Sequence, residues 1–161
     1  MSINLVLHST DAISYANGTA EFYVNWNNFY EDDPYCSFNV SFSFQTEMLS
    51  NSQIAPTDLY SLNLENFGTT FRSIEGANTN GNSNNSLSLG FLETREQHQN
   101  QSFNSDFKRT LVAYHSTNPP VTIQGRPNQS MVQVTLRDFS KAKAPASLTP
   151  EFMLFLRFEK I

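Results

Sequence analysis

The chain of 161 residues carries one cysteine, Cys36. A lone thiol excludes an internal disulfide framework and a cysteine-based zinc knuckle, which need several sulfurs at fixed spacing. Cys36 borders a strongly alternating run, so it reads as a small packed thiol rather than a nucleophile. Charge is scarce as well. Asp, Glu, Lys and Arg make up 16% of the residues, and the formal net charge is −5. No Lys or Arg precedes Arg72, so the chain begins without a basic arm. The later cations, Lys108 and Arg109, then Lys141 and Lys143, are scattered and are expected to be solvated surface charges. A phosphate-binding protein concentrates its cations, so direct nucleic-acid binding is not expected. No apolar run approaches the roughly 20 residues that span a bilayer, and no membrane span is expected. The opening "MSINLVLHSTDA" lacks the basic start and long apolar core of a signal peptide. A soluble protein outside the secretory route is the expectation, and the sequons at Asn17 and Asn128 carry little weight.

Catalytic and metal-ligating patterns are equally sparse. The three histidines, His8, His98 and His115, do not sit at metal-ligand spacing from one another or from acidic partners. His8 and Asp11 read as surface residues at a strand end. No nucleophile elbow, zincin helix or glycine-rich phosphate loop is present. The adjacent carboxylates Asp32 and Asp33 lie in a turn, "YEDDPY", whereas a glycosidase pair is drawn from separate strands. Neither an enzyme nor a cofactor is expected.

What the chain does have is aromatic residues and a period of two. It holds 14 Phe and 6 Tyr, and 39% of its residues are apolar, enough for one domain with a real core. In "SFNVSFSFQ" (37–45), Phe38, Val40, Phe42 and Phe44 share one face and the polar residues share the other. That is a half-buried strand. The same reading applies to "EFYVNW" with Phe22, Val24 and Trp26, to "LYSLNL" with Tyr60, Leu62 and Leu64, and to "SLSLGF" with Leu87, Leu89 and Phe91. "MVQVTLRD" offers Val132, Val134 and Leu136, and "EFMLFLRFE" offers Phe152, Leu154, Leu156 and Phe158. With "INLVLH", "TLVAY" and "VTIQ" the total is about nine strands. "ANGT", "EDDP", "NPP", "GRPN" and "APASLTP" supply the turns, where Gly and Asn accept positive φ and Pro presets it. Residues 76–86, "GANTNGNSNNS", have nothing to bury and read as a loop. The polar stretch 94–109 has room for one helical turn. The expectation is a single all-β domain over residues 1–161, a sandwich or jelly roll of two antiparallel sheets with about eight or nine strands.

Some aromatics fall outside this pattern. Phe29, Tyr30 and Tyr35 lie in one polar loop, and Phe103 and Phe107 in another. The last strand is apolar on both faces, because Met153 and Phe155 alternate with its core residues. Two readings stay open. These residues fold back over the ends of the domain, or they form a protein–protein interface, where aromatics and Met are enriched.

The closing stretch "PPVTIQGRPNQSMVQVTLRDF", followed by "PEFMLFLRFE", resembles the last strands of the small jelly-roll minor-capsid and penton-like proteins of nucleocytoplasmic large DNA viruses and virophages. The matching positions are Ile123, Gly125, Arg126 and Pro127, then Val132, Val134, Leu136 and Asp138, and finally Leu156, Phe158 and Glu159. "LVLHSTDAISYANGTAEFYVNW" near the start is also similar, while residues 65–110 are not covered. The resemblance implies a non-enzymatic virion component made in the host cytoplasm. Its partners would be copies of itself, with a pentamer favoured, or other capsid proteins. Phe29, Tyr30, Phe103, Phe107, Arg126, Met153 and Phe155 are the interface candidates. The alternative is a carbohydrate- or receptor-binding β-sandwich, for which Trp26 and the loop tyrosines are the evidence.

Overall fold

The computed structural model describes residues 2–30, 36–50, 53–54, 59–65, 87–97, 108–113, 120–124, 130–138 and 148–161. Among these the fold is all-β. There are eleven strands: β1 (Ser2–His8), β2 (Ser14–Ala16), β3 (Thr19–Tyr23), β4 (Ser37–Thr46), β5 (Leu49–Ser50), β6 (Leu59–Glu65), β7 (Leu87–Gln97), β8 (Lys108–Ala113), β9 (Val121–Gln124), β10 (Met131–Arg137) and β11 (Phe152–Lys160). A 3-10 turn (Ser9–Asp11) follows β1, and one short helix, α1 (Asn27–Tyr30), precedes β4.

Every pairing is antiparallel. The strands form a curled sheet whose main path runs β1-β11-β4-β8-β7-β6-β10-β3-β2, with β5 on β8 and β9 on β4. The nine-residue pairing of β11 with β4 is its longest ladder. At the opposite extreme, β4 meets β8 at one residue pair, Gln45 with Val112, assisted by the Leu111 N–H donating to Thr46 Oγ1 at 2.9 Å. That narrow joint divides β1, β11, β4 and β9 from the strands beyond it. First and last strands pair, β3 pairs with β10, β4 with β8 and β9, and β6 with β7.

The alternation seen in the sequence sets the interior. Phe22, Val24, Trp26, Phe38, Val40, Phe44, Val132, Val134, Leu136, Phe152, Leu154, Leu156 and Phe158 all enter one buried cluster. Its aromatic centre has Phe44 stacked on Phe152 (centroids 5.3 Å apart) and Phe158 edge-on to both Trp26 and Phe38. Phe42 keeps the inward parity and packs against this cluster, but it is less fully buried than its neighbours in the row. Along β4, β9 covers positions 37–40 and β8 meets position 45, so Phe42 falls in the gap between them among the described residues.

Three further features differ from the sequence reading. Strand β3 ends at Tyr23, although Val24 and Trp26 stay buried. The start of the polar stretch 94–109 is strand, not helix. Thr94–Gln97 extends β7 and pairs with Lys108–Leu111 of β8, because the ladder satisfies its backbone whatever the side chains prefer. Residues 98–107 lie outside the described residues. The third is Arg109, expected in water but only 6% exposed. Its Nε and Nη2 donate to Glu96 Oε1 at 3.1 and 3.0 Å, and Nη1 donates to the Ile54 carbonyl at 2.8 Å. A buried guanidinium is tolerated because those partners replace its water.

The two arginines that face carboxylates near this edge predict unequal effects. Glu96→Ala removes two charge-assisted bonds from a buried cation and should cost about 1.5–3 kcal/mol. Glu93→Ala breaks an exposed pair with Arg95 (3.1 Å) and should cost no more than about 1 kcal/mol. Urea unfolding of both variants checks the ranking, and equal losses would contradict it.

Three backbone positions need special residues. Asn17 (φ 52°) and Gly18 (φ 69°) make the tight turn joining β2 to β3. Gly90 (φ 146°) sits beside the irregularity where the β6–β7 register shifts between Leu62 and Asn63.

Candidate interaction face

Part of the β6, β10 and β3 region is buried on both sides: Asn63, Thr19, Thr135 and Arg137 are enclosed along with the apolar row behind them. The outer side of β1, β11 and β4 is different. Its cross-strand rows are His8, Met153 and Gln45; Val6, Phe155 and Ser43; Asn4, Arg157 and Ser41; Ser2, Glu159 and Asn39. The lower two rows are polar and hold an exposed ion pair, Arg157 to Glu159 at 2.6 Å. The upper two carry the apolar residues. Val6 is 50% exposed, Phe155 is 46% exposed, and Met153 is half-buried. Val6 and Phe155 are direct partners across the ladder, so their exposed surfaces merge into one patch.

Grooves flank this patch on two sides. One, of about 360 Å³, is lined by His8, Gln45, Glu47, Glu151, Met153 and Phe155, among others. The chain positions its acidic end through one backbone bond and one to a side chain: the Glu47 N–H donates to the Glu151 carbonyl at 2.8 Å, and the Glu151 N–H donates to the Glu47 carboxylate Oε1 at 3.2 Å. Ser9 Oγ accepts from the Phe152 N–H at 2.9 Å and ties the turn after β1 to the start of β11. The other groove, of about 340 Å³, runs between β1 and β3 and contains the exposed side chains Val6, Ile13 and Tyr23.

Behind the first groove, the Tyr15 hydroxyl donates to the Pro150 carbonyl at 2.6 Å, and its ring stands edge-on to Phe152. Burial pushes the Tyr15 phenol well above the usual tyrosine range, and the nearby negative charge of Glu47 adds to the shift. A group whose folded pKa is raised contributes stability that is present below its unfolded pKa and is lost as pH rises past it. Stability should therefore fall above about pH 10. Tyr15→Phe should flatten that fall relative to wild type, as read from melting temperatures between about pH 8 and 11. Parallel curves would contradict this. Glu21 is held below the usual carboxylate range, first by the Ser14 hydroxyl (2.7 Å) and then by the Gln133 amide (2.6 Å), a link across β2, β3 and β10.

The structure brings Met153 and Phe155 together on this face, as their alternation suggested. Phe29 and Tyr30 fall in α1, with side chains outside the described residues, as are Phe103, Phe107 and Arg126 altogether. His98, His115, Lys141, Lys143 and loop 76–86 lie outside them too. His8 Nδ1 is engaged by the Thr10 N–H (3.3 Å) and lies 2.6 Å from Thr10 Oγ1, so its partner among the described residues is Thr10 rather than Asp11. Trp26 is 3% exposed and offers no open ring face for a sugar. The sequence reading missed Val6, Glu47 and Glu151. Val6 had a signal, since it is opposite in parity to the inward Leu5 and Leu7. The glutamates had none.

No helix among the described residues is long and apolar enough to cross a membrane. No protein-family model and no curated protein matches the chain. Among solved structures, the chain is similar to the crystal structure of a selenomethionine-labelled mavirus penton protein, with 10% identity and a TM-score of 0.33, over 100% of this chain and 99% of that one.

Proposed function

We propose that this chain is a structural virion protein, a minor-capsid or penton-like component that works by assembly and without catalysis or cofactor. The observation that carries the reading is the continuous exposed patch of Val6 and Phe155, bordered by Met153, on an otherwise polar sheet face. Full burial of a side chain of that size is worth roughly 1.5–3 kcal/mol, and the half that Val6 and Phe155 each leave in water is what a neighbouring subunit recovers.

The strand pairing supports a jelly roll as the scaffold. Setting aside the short β2, β5 and β9 leaves eight strands in chain order. The first pairs with the eighth, the second with the seventh, the third with the sixth and the fourth with the fifth. That is one long antiparallel hairpin coiled on itself, the layout of a double Greek key. The single-pair joint between β4 and β8 is then the corner between its two sheets. Jelly rolls serve in both viral shells and lectins. The buried Trp26 and the exposed aliphatic and aromatic patch favour the shell.

Assembly would be a closed cyclic ring, with a pentamer favoured and the virion as its location. Negative-stain electron microscopy of the concentrated, purified chain tests this. Closed rings are expected; dispersed monomers at every concentration would leave only a role dependent on other capsid proteins.

A further inference from the structure

We propose that the groove between β1 and β3 receives an extended segment of a different polypeptide, which adds to β1 as a further strand. The inference goes beyond the assembly reading and does not rest on the Phe155 face. The groove, of about 340 Å³, lies between the two ends of the curled sheet. One wall is Leu5, Val6, Leu7 and His8; the other includes Phe22, Tyr23, Val24 and Asn25. Each wall is a run of consecutive residues. A strand shows alternate residues from a face and consecutive ones only from its edge, so the groove looks onto two strand edges. Both edges are open among the described residues. β1 pairs with β11 along one side for all seven residues and has no strand on the other. β2 covers β3 at positions 19–21 and stops short of Phe22 and Tyr23. The opposite side of that wall is taken by β10, through the Tyr23 pairing with Met131 and the Val24 N–H donating to the Ser130 carbonyl at 2.8 Å.

A polypeptide backbone offers donors and acceptors spaced to pair with such an edge, so the occupant is a peptide rather than a sugar or a lipid. The side chains fix its character. Leu7, Phe22 and Val24 form a buried apolar floor, while Val6, Ile13 and Tyr23 stand exposed at the rim. Alternate residues of an added strand point the same way, so apolar side chains at every second position rest on the floor. Ile3 and Leu5, in the inward row of β1, are only partly buried, whereas the inward row of β11 beside them is fully buried. One more strand completes their cover. The edge is also unguarded. Natural edge strands carry Lys, Pro or a bulge that turns a further strand away. Ser2–His8 holds no Lys, Arg, Asp, Glu or Pro, and its ladder runs without a register shift. The described strands of a second copy are held in its own sheet. The occupant is therefore a segment of another protein that has no sheet of its own and orders on binding.

Hydrogen exchange of the full-length chain, read by mass spectrometry over residues 2–8, tests the proposal. The probe is a soluble peptide of alternating valine and lysine, at about 1 mM in about 0.15 M salt. Without peptide, about half of the β1 amides, those turned away from β11, should exchange rapidly. The peptide should slow them at least about fivefold. The same peptide N-methylated at every residue keeps its side chains, loses its donors and should give no protection. The Ile13→Ser/Tyr23→Ser variant, altered only at the exposed rim, should stay folded by circular dichroism and lose most of the protection. No slowing with the first peptide overturns the site. Equal slowing by the N-methylated peptide, or in the rim variant, overturns strand addition in this groove. Amides protected in the chain alone and released on dilution would put a second copy in the groove in place of another protein. Phe155→Asp should bind the peptide as wild type does, so a failure of self-assembly and a failure of this site are read separately.

Discussion

Truncating Phe44 to alanine is expected to lower the unfolding free energy by about 3–5 kcal/mol. Phe44 is 2% exposed and stands in register with Leu154 on the long β4–β11 ladder. Its ring stacks on Phe152 with an interplanar angle of 27°. Removing it loses the transfer energy of the ring and leaves a cavity that flanking strands, held by their own hydrogen bonds, cannot collapse to fill. Phe42→Ala, two residues earlier on the same strand, should cost distinctly less, because Phe42 is only partly buried. Urea denaturation of the two variants gives both numbers. Equal losses would mean that Phe42 is as fully enclosed as Phe44.

Phe155→Asp is expected to convert an assembled protein into a folded monomer. Phe155 is 46% exposed in the single chain, so aspartate there keeps its water and the domain keeps its fold. In an assembly that covers the patch, the same carboxylate is desolvated beside Val6 and Met153 without a partner. A buried, unpaired charge costs several kcal/mol, enough to shift association by more than about a hundredfold. Size-exclusion elution reports the assembly, and the thermal midpoint reports the fold. A variant that unfolds would place Phe155 inside the core, contrary to its exposure. A variant that assembles like wild type would place the interface elsewhere.

Much of the scaffold was legible because most strands are half-buried and alternate. Alternation reports the environment of each side chain along its own strand, and nine runs carried it. β2 and β5 have three and two residues, too few for any period to register. Thr94–Gln97 was hidden for another reason. Its side chains are polar, and its strand identity comes from the backbone ladder to β8. Neighbour relations were less legible still. Alternation says which residues face inward, but not which strand lies alongside. Arg109 looked like a surface charge because Glu96 and the Ile54 carbonyl are 13 and 55 positions away.

The candidate face divides in the same way. Phe155 and Met153 stood out because an apolar residue at an outward parity breaks the pattern of its own strand. Val6 breaks the pattern of its own strand in the same way, but its place beside Phe155 comes from the pairing of the first strand with the last. Glu47 and Glu151 are 104 positions apart and meet through one backbone bond and one from the Glu151 N–H to the Glu47 carboxylate. Features made within one strand could be read; features made by register between distant strands could not.

The central claim, that this chain is a self-assembling shell component, is tested most directly by the molar mass of the wild type in solution. Sedimentation equilibrium over a wide concentration range measures it without assuming a shape. The expected result is a discrete closed species, with five times the 18.3 kDa chain mass favoured, that grows with concentration and does not extend into an open series. A mass that stays at one chain throughout would contradict self-assembly.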